Sequence, residues 1–233
     1  MKHRIQFFFF LGCFGMYFPL FAQENVRDAW LGVRMGLSYS PLKDFQTWGE
    51  GEGLDNLPAA TRHQQIAFDV FIQKRKIPFL LSTAINLPRL TQTHPYLTSI
   101  SLESGYTLYE KRTTLRIMAG PSLGIMTVRF RGGVPQSFQN LPFNHSEAFA
   151  RSYNLALRGS LLATYPIFPK NKRFGRPSVL ANVGIQERLL HGGFRYGEMV
   201  IVPDDRFDSV PVEMPKLFRR NMWATVGIGF HFN

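Results

Sequence analysis

The chain has 233 residues, 45% of them hydrophobic and 18% charged, which excludes a disordered polyelectrolyte and fits one large domain. Lys and Arg number 27 against 16 Asp and Glu, and the resulting net charge of +11 does not by itself separate a nucleic-acid partner from an anionic membrane surface. The single cysteine, Cys13, falls in the first apolar run, so beyond that run disulfide and thiol chemistry are excluded.

Lys2 and Arg4 precede an apolar run from Ile5 to Phe21 that closes at small Ala22 before Gln23, the make-up of a secretory signal peptide cleaved near Ala22. Gly12, Gly15 and Pro19 interrupt a run that barely reaches the roughly 20 residues of a spanning helix, which argues against an anchor. Phe10-Leu11-Gly12-Cys13 matches a lipoprotein processing site only loosely, because apolar sequence continues past it. The expected layout is a signal peptide over 1–22 and one domain over 23–233.

Beyond Gln23 the pattern has period two, as strands lying between two environments require. Strand one sets Leu31, Val33, Met35, Leu37 and Tyr39 against Gly32, Arg34, Gly36 and Ser38. Strand two carries Ile66, Phe68, Val70 and Ile72 against Ala67, Asp69 and Gln73, and strand three carries Ile77, Phe79, Leu81 and Ile85 against Ser82, Ala84 and Asn86. Ile100, Leu102, Tyr106 and Leu108 oppose Ser99, Ser101, Glu103, Gly105 and Thr107 in strand four, and Leu115, Ile117, Ala119, Leu123 and Ile125 oppose Arg116, Gly120, Ser122 and Gly124 in strand five. Strand six alternates from Tyr153 to Tyr165 with Arg158 on its polar face, and strand seven from Val179 to Gln186. Strand eight places Met222, Ala224, Val226, Ile228, Phe230 and Phe232 opposite Asn221, Thr225, Gly227, Gly229 and His231.

A soluble eight-stranded cup alternates as well, so the polar face decides. A water-facing exterior would be rich in Lys and Glu; here that face is Gly, Ser, Thr, Asn and Ala, which suits the crowded inside of a narrow barrel. The apolar face then meets lipid, with Tyr39, Tyr106, Tyr153, Tyr165, Phe230 and Phe232 as aromatic girdles. The fold expected is all-β, an eight-stranded antiparallel up-and-down transmembrane β-barrel. Connections alternate between long (41–64, 129–151 and 191–218) or intermediate (87–96) and tight (74–76 and 109–112), as outer loops and periplasmic turns do; the connection 166–177 is long for a turn. A ten-stranded count would pair Arg195–Val202 within the last loop.

Three segments carry a family resemblance: Gly32-Val33-Arg34-Met35-Gly36-Leu37-Ser38, Ala119-Gly120-Pro121-Ser122-Leu123-Gly124, and Thr225-Val226-Gly227-Ile228-Gly229-Phe230-His231-Phe232. With them the chain resembles the Bacteroidetes-type outer-membrane β-barrel domain, the OmpA/OmpX-like, PorT-like family. In that resemblance Thr225, Gly227, Phe230 and Phe232 form the terminal β-signal read by the barrel-assembly machinery. The resemblance implies an integral place in the outer membrane and no particular activity; since family members serve secretion or gliding machinery, an accessory barrel of an envelope secretion machine is an alternative role it implies.

Five charges, Arg34, Asp69, Glu103, Arg116 and Arg158, project into the lumen and are expected to pair there as an ionic plug, because unpaired buried charge is costly. A gated ion path is the alternative, and an eight-stranded barrel leaves no room for an open pore. The turns expected in the periplasm hold Lys74, Arg75, Lys76, Lys111, Arg112, Lys170, Lys172, Arg173 and Arg176 against Glu110, a net +8 of the +9 that remains once Lys2 and Arg4 are removed. That asymmetry favours anionic headgroups, or a periplasmic protein partner, over nucleic acid. Outer-membrane lipid is the expected surrounding, and no cofactor is expected. Glu50, Glu52 and Asp55 beside Trp48, and Asp204, Asp205, Asp208 and Glu213, read as flexible acidic loop tips rather than a metal site, since their spacing fits no calcium loop. Arg129 and Arg131 around Phe130, and Lys216, Arg219 and Arg220, read as lipid-packing positions. A lipid-modifying enzyme would need a histidine near a Ser or carboxylate; His94, His145 with Ser146 and Glu147, and His191 are the candidates, and no motif raises them above ordinary loop histidines, so no catalytic residue is expected.

Overall fold

A computed structural model describes residues 26–55, 57–87, 93–130, 133–145, 148–168, 176–199 and 207–232. The expected signal peptide over 1–22, and Arg131, Ser146, Glu147, Lys170, Lys172, Arg173, Asp204 and Asp205, lie outside them.

Eight strands build the barrel wall: β1 (Val26–Pro41), β2 (Ala60–Lys74), β3 (Ile77–Asn86), β4 (His94–Glu110), β5 (Thr114–Arg129), β6 (Phe149–Pro166), β7 (Arg176–His191) and β10 (Arg220–His231). Each pairs antiparallel with its neighbours in sequence order, β5–β6 pairing joins the two halves, and β1 closes on β10 from Trp30 opposite His231 to Tyr39 opposite Met222. Closure removes every sheet edge from the wall. The last long connection folds into a hairpin, β8 (Phe194–Met199) and β9 (Phe207–Val212), which pairs with β6 through β8. The extra strand pair anticipated near Arg195 therefore exists, but it stands on the barrel rather than in its wall, and the wall keeps eight strands.

Inside and outside follow the alternation. Val33, Met35 and Leu37, Leu102 and Tyr106, Leu123, Leu157, Val183 and Val226 are exposed on the outer face, while Arg34, Ser82, Ser101, Ser122, Arg158 and Asn182 are buried within. On β6, Tyr153 and Tyr165 stand twelve residues apart, about 40 Å along the strand and about 30 Å once tilt is taken into account, a match to the hydrocarbon layer and its edges. Among the described residues no helix is long and apolar enough to cross a membrane; strands carry the apolar surface.

Strand backbones approach closely where β1 meets β10, as they do where β4 meets β5 at Gly105 and Gly120. A Cβ added to Gly36 would lie 2.0 Å from the Ala224 carbonyl oxygen, and one added to Gly227 1.9 Å from that of Val33, so only glycine permits the backbones to approach there.

The long connections fold over one end, the loop end. Helix α1 (Lys43–Gly51) presents Phe45 inward, and Phe45, Leu54, Met126, Phe130, Phe138, Phe194, Tyr196 and Phe218 share one buried cluster. Phe130 thus packs inside this dome, edge-on to Phe138 at 5.7 Å, rather than against lipid. Glu52, expected at a flexible acidic tip, instead ties two loops: its carboxylate accepts from the Ser137 backbone N–H at 2.9 Å and from the Ser137 hydroxyl at 2.7 Å. The opposite end, the turn end, has tight connections after β2 and β4 and holds the start of β1 and the end of β10.

Candidate functional site

Four of the five lumen charges form one mid-lumen layer. The Arg34 guanidinium meets Asp69 on the adjacent strand through two nitrogens, Nη2 to Oδ1 at 2.8 Å and Nε to Oδ2, while Nη1 donates to Thr225 Oγ1 at 2.7 Å. Across the lumen, Arg158 Nε lies 3.0 Å from Glu103 Oε1, and Glu103 also accepts from Ser101 at 3.1 Å and Ser160 at 2.6 Å. The Arg158 guanidinium rests 4.0 Å over the Trp223 ring, whose Nε1 donates to Asn182 Oδ1 at 2.6 Å. Two cations meet two carboxylates, and none of the four is open to solvent. That balance lets charge persist in a closed lumen, since each carboxylate keeps several donors after losing water.

Arg116 does not join this layer. Between them lie Trp30, Phe71, Leu80, Met118, Leu162 and Leu180, a fully buried apolar septum in which Trp30 stacks on Phe71 at 5.0 Å. On the turn-end side of it, Arg116 reaches from β5 to β1, diametrically opposite in the barrel, and its Nη2 donates to Asp28 Oδ2 at 3.1 Å and Gln73 Oε1 at 3.1 Å. Nη1 donates to Thr164 at 3.2 Å, and the guanidinium lies 4.4 Å over Phe71. His231 Nδ1 donates to Asp28 Oδ1 at 2.7 Å, and its Nε2 is 2.9 Å from Ser178 Oγ. Asp28, Trp30 and Trp223 were missed in the sequence. Asp28 and Trp30 share the even-numbered inward parity of Gly32 and Arg34, and extending strand one four residues towards the N-terminus exposes both.

Below this cluster the turn end opens into a vestibule of about 870 Å³. Five permanent cations line it, Arg27, Lys111, Arg112, Arg116 and Arg176, against Asp28 and Glu110. Arg27 and Glu110 pair at 2.8 Å, and Arg112 lies 5.0 Å over the Tyr165 ring. The basic turns are therefore not one surface: Lys111, Arg112 and Arg176 face this cavity, whereas Lys74, Arg75 and Lys76 lie outside its lining.

Among the described residues, His145 and His191 are held by structural partners. His145 Nε2 is 3.3 Å from the Gln139 carbonyl and its Nδ1 2.9 Å from Tyr196 Oη, an arrangement in which Nε2–H and the phenol both donate. Burial pushes the Tyr196 hydroxyl up to about 12, so it remains a neutral donor. His191, where β7 leaves the barrel, approaches Ser152 Oγ at 3.5 Å, but that hydroxyl donates to the Gly192 carbonyl and is not primed as a nucleophile. Burial, then the positive charges of Arg188 and Lys216, lower the His191 imidazole to about 4. The His94 side chain lies outside the described residues. Among the described residues no three His, Cys, Asp or Glu side chains gather as a metal site.

Of the terminal motif, Thr225 faces the lumen, Gly227 sits against the β1 backbone, and Phe230 and Phe232 are exposed on the outer face near the turn end.

A closed eight-stranded antiparallel barrel with an apolar exterior and a filled interior is the fold of outer-membrane β-barrels. The chain is similar in structure to Neisserial surface protein A, at a TM-score of 0.52 and 10% identity over 89% of this chain and 99% of that one. It is similar also to a major outer membrane protein from Thermus thermophilus, at a TM-score of 0.53 and 11% identity over 88% of this chain and 100% of that one. At these identities the likeness is one of fold. No family model matches the chain, and no curated protein matches it.

Proposed function

We propose that this chain is an integral barrel of the bacterial outer membrane, of the Bacteroidetes type that its motifs resemble, with a structural, anchoring or surface-binding role and neither an open pore nor a catalytic step. The septum carries the reading: six fully buried apolar side chains cross a lumen already crossed by the Arg34–Asp69 and Arg158–Glu103 layer, beneath a dome of packed loops. Ions that travel hydrated would have to shed water to pass it.

In this reading the turn end faces the periplasm and the dome faces outward, as the short and long connections of outer-membrane barrels do. Lipid covers the apolar face, and the barrel-assembly machinery reads the terminal segment from Thr225 to Phe232. The basic turns meet anionic headgroups of the inner leaflet or a periplasmic protein, not nucleic acid. Recognition at the cell surface falls to loops held on a rigid wall.

The test is a heat-modifiability gel on protein extracted from outer membranes, followed by planar-bilayer recording of the purified barrel. A mobility shift between boiled and unboiled samples with conductance at background is expected. Water-soluble protein without a shift would overturn the location, and steady unitary currents would overturn the closed lumen.

A further inference from the structure

The turn-end vestibule is a large cavity whose chemistry the closed-barrel role leaves unused. We propose that it is a binding chamber for a soluble, phosphate-bearing small molecule. Its volume, about 870 Å³, lies in the range of small-molecule sites. Five cations against two carboxylates leave its wall positive, and a concave wall of one sign inside a low-dielectric shell concentrates anions.

The floor adds directed groups to that field. Arg116 is buried at 3% side-chain exposure, lines the cavity, and keeps its Nε donor without a protein partner, while Nη1 and Nη2 are held by Thr164, Gln73 and Asp28. Its guanidinium is thus fixed in place as a preorganised positive charge at the floor, while Lys111 and Arg112 on the same lining supply the N–H donors that a phosphate would meet. Ser178 and Thr114 place hydroxyls on the same wall.

A soluble source is favoured over a lipid headgroup because the cavity lies within the ring of strands. The apolar face that would hold acyl chains is on the other side of that ring, so a headgroup would have to fold over the strand ends to enter.

Isothermal titration of the folded barrel in zwitterionic detergent, with inorganic pyrophosphate as the probe, tests this. Saturable binding is expected, weakening as salt rises from about 0.05 M to about 0.5 M. The double variant Lys111→Gln/Arg112→Gln should weaken it by about fivefold per cation removed, whereas Lys76→Gln, an equal charge change per residue outside the cavity lining, should leave it unchanged. These positions avoid the fold risk of Arg116, whose loss would break the bonds to Asp28, Gln73 and Thr164 that join β5 to β1, β2 and β6. Absence of saturable binding, or equal weakening by Lys76→Gln, would overturn the chamber. Displacement of pyrophosphate by micellar phosphatidylglycerol, with no displacement by free glycerol phosphate, would overturn the soluble source.

Discussion

The mid-lumen cluster of Arg34, Asp69, Glu103 and Arg158 and the turn-end cluster of Arg116, Asp28 and His231 stand one side-chain layer apart, yet their charge is balanced differently. In the first, every charge is sealed and each carboxylate is bonded several times. In the second, Asp28 keeps 19% side-chain exposure and both it and Arg116 line the vestibule. A salt bridge that water cannot reach has no alternative partner, so it acts as masonry. One that borders a cavity can exchange partners, so the same residue types become available for recognition.

Removing one acid from each cluster is the sharpest way to break this contrast. Asp69→Ala strands a fully buried guanidinium and should cost about 3–5 kcal/mol, whereas Asp28→Ala removes a part-exposed acid and leaves Arg116 bonded to Gln73 and Thr164, and should cost about 1–2 kcal/mol. Both are read as shifts in the urea midpoint of barrel refolding; equal shifts would erase the distinction. Leu162→Ala opens the septum that separates the clusters and should cost about 3 kcal/mol through the cavity it leaves. If the septum is what seals the lumen, that variant should also raise planar-bilayer conductance above the parent's, and unchanged recordings would assign the seal to the dome.

Acid probes the dome against the wall. The His191 value of about 4 in the folded chain lies below the ordinary imidazole value near 6.5, so opening takes up a proton. The contribution of this site is therefore constant above about pH 6.5 and declines as pH falls towards 4, which should appear as faster protease nicking of the loops at pH 5 than at pH 7 with the wall intact. Identical nicking at both values would remove His191 from the dome's stability. The smallest effect belongs to the turn after β2, where Arg75 adopts a φ of +55°. Arg75→Gly relieves that left-handed conformation and should raise stability by about 0.5–1 kcal/mol, measured by the same refolding midpoint.

The wall was legible in the chain because lipid outside and small polar residues inside impose opposite demands on alternate positions, and eight such segments recur. The inward charges were legible for the same reason, but their partnerships were not. Parity places Arg34, Asp69, Glu103, Arg116 and Arg158 in the lumen without fixing height, and height is what separates Arg116 from the rest. The septum was obscured because Trp30, Phe71, Leu80, Met118, Leu162 and Leu180 are apolar residues on the polar face, where they blur the alternation instead of announcing a layer. The dome was hidden in the long connections: Phe130, Phe138, Tyr196 and Phe218 have no shared period, and only the folded chain brings them together.

The placement of the three tryptophans has an optical consequence. Trp48 belongs to the dome, Trp223 lies beneath the Arg158 guanidinium, and Trp30 is stacked in the septum. Indole emission depends on local polarity and on nearby charge, so each ring views a different height of the same lumen. Versions retaining one indole at a time would turn the barrel into its own depth gauge, recording in separate colours whether loops, charged layer or apolar floor assembles first as the strands enter a bilayer.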